Sequence, residues 1–106
     1  MTQNRESTRY FSQRQEERVA KILGLKVVPN SGARIFNKGD VRGQECLVEC
    51  KTMVEPRKSI SIKKEWLTKI RQEAFDSGKS MGMLVFDFGD GDDYVVLRLK
   101  DFKDLF

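Results

Sequence analysis

Residues 62–78, IKKEWLTKIRQEAFDSG, place Ile62, Trp66, Ile70 and Ala74 in one stripe at helical spacing, with Leu67 beside it and Gly78 closing the run. That spacing predicts an amphipathic helix that must bury one face. Its neighbours decide against what. LVECKTM (47–53) precedes it, and MGMLVFDF (81–88) and DYVVLRL (93–99) follow, all short runs rich in β-favouring residues. The last two are joined by GDGD, a turn signal. Upstream, from about Ser7 to Leu23, Val19, Ile22 and Leu23 recur at helical spacing, with Ser7 or Thr8 as a cap and Gly24 as the stop. LKVV (25–28) reads as a short strand ended by Pro29, residues 30–39 as a polar loop or irregular edge, and DFKDLF as a last turn of helix. Helices and strands in this order share one core, which predicts an α/β or α+β fold with a mixed central sheet of about 4–5 strands flanked by helices. One domain is expected over residues 7–106, behind a frayed, disordered start at 1–6.

With 106 residues the chain can bury one core with little to spare. No apolar run approaches the roughly 20 residues of a membrane span, and MTQNREST is too polar for a signal peptide, so a cytoplasmic, membrane-free protein is expected. Cys46 and Cys50 are the only cysteines. Four apart on a strand, they stand about 13 Å from each other, too far to form a disulfide together. There is no histidine, and the sequence is read as offering neither a zinc site nor an imidazole base. Net charge is +4, but residues 1–79 hold 17 Lys/Arg against 10 Asp/Glu, whereas residues 80–106 hold three against six. A basic body with an acidic end fits a polyanion-binding surface on part of the molecule, although many proteins of similar pI bind no nucleic acid.

Within DVRGQECLVECKTM, Arg42-Gly43-Gln44-Glu45 fits a two-residue hairpin loop in which Gly43 takes the positive φ of a type II′ turn. Arg42 then faces Glu45, Asp40 faces Leu47 and Lys38 faces Glu49. Asp40 and Glu49 become diagonal neighbours on one face, with Lys51 one pleat further along it and Cys46, Val48 and Cys50 on the apolar side. Two carboxylates at that distance repel unless a cation lies between them. A hard divalent ion such as Mg²⁺ takes oxygen ligands, here Asp40, Glu49 and the Cys50 carbonyl, and polarises a phosphoryl oxygen. Lys51 can orient the attacking water or offset charge building on the phosphate. A solvated Glu49–Lys51 salt bridge on an open sheet face explains the same letters without chemistry.

The ordered set QE, PNSGA, KGD, ECK, with GD eight residues before ECK, resembles the PD-(D/E)xK nuclease superfamily. Within it, the set looks most like the archaeal-type Holliday junction resolvases and their phage relatives, over roughly residues 12–100. The resemblance implies a restriction-endonuclease-like core and a Mg²⁺-dependent endodeoxyribonuclease, with Mn²⁺ able to substitute. It implies a homodimer, since two symmetric cuts need two sites, acting on branched or duplex DNA. It would suit a phage-encoded enzyme in the host cytoplasm. Asp40 and Glu49 match the metal carboxylates, Lys51 the catalytic lysine, and Glu16 the acidic residue of the first helix. Glu17 is the rival, but Glu16 shares a face with Val19, Ala20 and Leu23. Ser31 matches a position near the scissile phosphate, although a plain Ser-Gly turn also fits. Gly39 stands where the name-giving proline would be, and the hairpin is short.

Arg34, Lys38 and Arg42 on the hairpin side, with Arg57, Lys58, Lys63 and Lys64 after the strand, are candidate contacts to phosphates flanking a cut. Each taken alone is equally a solvated cation. Trp66 and Phe75 are expected in the core. Two further readings remain: a repair or restriction-like nuclease on duplex, flap or single-stranded DNA, and a DNA-binding module with a nuclease fold that does not turn over.

Overall fold

The computed structural model describes residues 5–29 and 39–106. Among them the chain forms α1 (Arg5–Leu23), β1 (Lys26–Val27), β2 (Val41–Arg42), β3 (Cys46–Lys51), α2 (Lys64–Asp76), β4 (Met81–Phe86), β5 (Tyr94–Val96) and α3 (Leu99–Lys103). The strands make one mixed sheet in sequence order, parallel between β3 and β4 and antiparallel elsewhere. The parallel pair follows from α2, because a crossover helix carries the chain back to the end of the sheet at which β3 began. The expected α/β class therefore stands, with five strands among the described residues. None of their helices is long and apolar enough to cross a membrane. α1 begins at Arg5, so the boundary expected after residue 6 falls inside the helix.

Alternation along β3 builds a core on each side of the sheet. Val48 packs with Val19, Ala20, Val41 and Val85 under α1, whereas Leu47 packs with Ile70 and Ala74 of α2. Fully burying side chains such as Leu47 and Ile70 contributes about 1.5–3 kcal/mol each. α2 lies so close that a Cβ on Gly82 would stand 2.6 Å from the Ile70 carbonyl oxygen, which leaves glycine as the residue that fits at that point of β4.

Three expectations are corrected. Phe75 is 77% exposed rather than core. α2 buries only Ile70 and Ala74, and the next position is turned about 100° around the helix. Trp66 is only half-buried and stands over Lys51. The hairpin register also moves. Val41 pairs with Val48, not Cys46, and Gly43 N–H donates to the Cys46 carbonyl at 2.9 Å, leaving Gln44 and Glu45 as the loop. Gly43 does not adopt positive φ. For the paired residues Val41 and Arg42 the shift of two positions preserves which side chains share a face, because the period is two.

Candidate active site

The candidate residues gather where β2 enters the sheet and β3 leaves it. By the parity of β3, Glu49 and Lys51 point to the α2 side, the side of Leu47. Lys51 Nζ stands 3.4 Å from Glu49 Oε2 and 4.7 Å from the centre of the Trp66 ring. The ammonium is thus held between a carboxylate and an aromatic face, which attracts cations. Gln15 holds the main chain beneath it: this buried side chain donates from Nε2 to the Lys51 carbonyl at 2.8 Å.

Asp40 is fixed from both directions. Its N–H donates to the Val48 carbonyl at 2.8 Å, so Asp40 and Val41 stand against one partner residue, the arrangement of a β-bulge. Its Oδ2 accepts the Cys50 N–H at 2.7 Å. A carboxylate from one strand therefore receives a main-chain donor of the next, and cannot swing away without orphaning it. Just before it, Gly39 has φ +75° and donates its N–H to Glu73 Oε1 at 3.1 Å. Proline can supply neither that φ nor that donor, which accounts physically for glycine where the resembled motif has proline.

The electrostatics agree with this crowding. Burial, then the charges of Asp40, Glu49 and Glu17, pushes Glu16 up to about 7. Burial and the charge of Asp40 raise Glu49, with Lys51 opposing. Burial raises Asp40, while the Cys50 N–H and Lys51 pull it back. The Cys50 thiol is held protonated by burial and by the surrounding carboxylates. Glu16 is the half-buried member of the Glu16–Glu17 pair, and Glu17 is exposed.

Asp40, Glu49, Lys51 and Glu16 thus come into one neighbourhood. Arg42 lies opposite Leu47, two residues back along β3 from Glu49. Arg57, Lys58, Lys63 and Lys64 are exposed in the segment leading from β3 into α2. Ser31, Arg34 and Lys38 lie outside the described residues. Side chains that pattern reading passed over complete the surroundings: Gln15, Trp66 as a wall, and the α2 pair Lys69–Glu73, 3.9 Å apart. Lys69 lowers both Asp40 and Glu49. The i,i+4 spacing of Lys69 and Glu73 was readable in the sequence, but the approach of Glu73 to Gly39 was not.

By donor chemistry Asp40, Glu49 and Glu16 fit a hard divalent cation: all are oxygen donors, and their mutual repulsion is what an ion relieves. Among the described residues no three Cys, Asp or Glu side chains converge closely enough to enclose an ion. No protein-family model matches the chain, and no curated protein and no solved structure matches it.

Proposed function

We propose that the protein is a Mg²⁺-dependent, structure-selective DNA endonuclease of the junction-resolving type. The observation that carries this reading is the Asp40 carboxylate locked by the Cys50 N–H beside the Glu49–Lys51 pair. A salt bridge made only for solvation needs neither that lock nor the desolvation that raises Asp40, Glu49 and Glu16 together. Asp40, Glu49, Glu16 and the Cys50 carbonyl would hold such an ion once drawn together around it, and it would supply Lewis acidity for phosphodiester hydrolysis. Asp40 offers its free oxygen lone pairs at a fixed position because the other oxygen is already engaged. Lys51 lies where it can neutralise charge accumulating on the phosphate, and Trp66 and Glu49 limit its rotamers. Arg57, Lys58, Lys63 and Lys64, exposed beside the same end of β3, give a cationic track for flanking phosphates.

Two cuts in opposed strands need two such sites, hence a homodimer. Ile22, Val95 and Leu105 stand exposed around an apolar groove of about 350 Å³ between α1, β5 and α3, a surface a second copy would cover. The test is cleavage of an end-labelled four-way DNA junction beside a linear duplex of the same sequence, each in Mg²⁺ and in EDTA. Paired Mg²⁺-dependent nicks near the branch point with the duplex spared support a resolvase. Equal cutting of both keeps the nuclease and rejects junction selectivity. Binding without cutting of either favours the module that does not turn over.

A further inference from the structure

Beyond the C-terminal ends of β3 and β4, α1 and the β4–β5 loop frame an open cavity of about 280 Å³ that the proposed cleavage chemistry does not use. Its floor includes Thr52 and Met53, the residues directly after Lys51. On its α1 wall, Tyr10 is 52% and Phe11 37% exposed. Their rings meet edge to face, 5.5 Å apart at 78°, so a flat ring laid on one abuts the other. Arg14 stacks its guanidinium 5.5 Å from the Tyr10 centroid and donates from Nη1 to the Tyr10 hydroxyl at 2.8 Å.

The charges of the cavity decide which chemistry suits it. Arg18 is already satisfied by Asp87, at 2.9 Å, and by Asp93. Asp87 also accepts from Thr52 Oγ1 and from the Gly89 N–H. The guanidiniums of Arg14 and Arg18 and the carboxylates of Asp87 and Asp90 line the cavity, with Asp93 bound to Arg18. A wall without excess positive charge does not favour a phosphate. It does favour an uncharged planar ring with a polar edge, stacked on the aromatic corner, with Arg14 donating to a ring carbonyl and Asp90 accepting from a ring N–H or an exocyclic amine.

We propose that this cavity is a base-stacking subsite that takes one unpaired nucleobase of a DNA strand on the Tyr10–Phe11 corner. The proposal rests on the nuclease reading for its biological ligand, and it deepens that reading by giving the protein a means of sensing unpaired DNA next to the cut.

The test is an anisotropy titration of the full chain in EDTA, with a labelled single-stranded thymidine oligonucleotide and an abasic oligonucleotide of equal length. The protein is expected to bind the thymidine strand about tenfold more tightly. Tyr10→Ala/Phe11→Ala should lose that preference while keeping its affinity for the abasic strand. Equal binding of the two strands by the unaltered protein overturns the proposal, as does a double variant that weakens on both strands alike. Should the double variant fail to fold, Arg14→Leu decides: a reduced preference for the thymidine strand supports the subsite, and an unchanged one rejects it. Failure of the nuclease reading registers elsewhere, as cleavage that survives loss of Lys51, and leaves this binding comparison untouched.

Discussion

The Cys50 N–H donates to Asp40 Oδ2 at 2.7 Å, so the main chain of β3 holds a carboxylate delivered by the start of β2. Burial of that carboxylate costs stability, and its pKa is raised accordingly. Asp40→Asn should therefore keep the fold, because an amide oxygen accepts the same N–H without carrying the charge. Thermal unfolding in EDTA is expected at the same temperature or higher, while Mg²⁺-dependent cleavage falls by about 100-fold or more. A lower melting temperature with intact cleavage would make Asp40 a structural residue only.

Trp66 is expected to act as a positioning residue through Lys51. A cation over a ring face contributes about 0.5–1 kcal/mol at a partly exposed site. Trp66→Ala should lower kcat roughly fivefold with KM little changed, whereas Trp66→Phe keeps a ring face and most of the rate. Equal losses in both variants would mean that the indole acts through packing instead.

Gly39 couples the site to α2. Gly39→Ala forces φ +75° on a residue with a Cβ, and Gly39→Pro also removes the donor to Glu73. Alanine should cost about 1–2 kcal/mol in chemical denaturation. Proline should cost more, because a hydrogen bond to a charged acceptor is worth about 1.5–3 kcal/mol. If proline is tolerated as well as alanine, the Glu73 contact contributes nothing to stability.

The pH dependence of stability follows from the carboxylates. Glu16 rises from 4.5 to about 7 on folding, with burial the leading cause. Between those values the folded chain retains a proton that the unfolded chain has lost, so in EDTA stability should fall as pH rises through that window and level off above it. Glu16→Gln should flatten the curve and add on the order of 1 kcal/mol at pH 8, allowing for solvent screening of a half-buried group. Denaturant titrations at pH 5 and 8 check it. A slope unchanged in the variant would exclude Glu16 as the source.

What the letters disclosed, and what they did not, divides along physical lines. The common face of Glu49 and Lys51 was legible because strand parity is local; the bulge and the Cys50 N–H that bring Asp40 beside them were not. The register itself was not. Gly43 looked like the residue of positive φ in the turn, whereas a Cβ there would stand 2.6 Å from Leu25 Cδ2, a close approach invisible in the hairpin's own sequence. The helical stripe was legible from Trp66 to Ala74, whereas Ile62 lies before α2 and is exposed; its depth was not legible, since only Ile70 and Ala74 are buried, which left Phe75 outside and freed Trp66 to face Lys51. Gln15 and the Arg18–Asp87–Asp93 cluster join residues 36 to 78 positions apart, and no local pattern announces such pairs.

The most direct measurement compares unaltered protein with Lys51→Ala on a labelled four-way junction in Mg²⁺, following cleavage and binding on the same substrate. If Glu49 and Lys51 share a face because that face does the chemistry, the variant binds the junction within a few-fold of the unaltered protein and cuts it at least about 100-fold more slowly. Cleavage by Lys51→Ala at the unaltered rate would contradict the account.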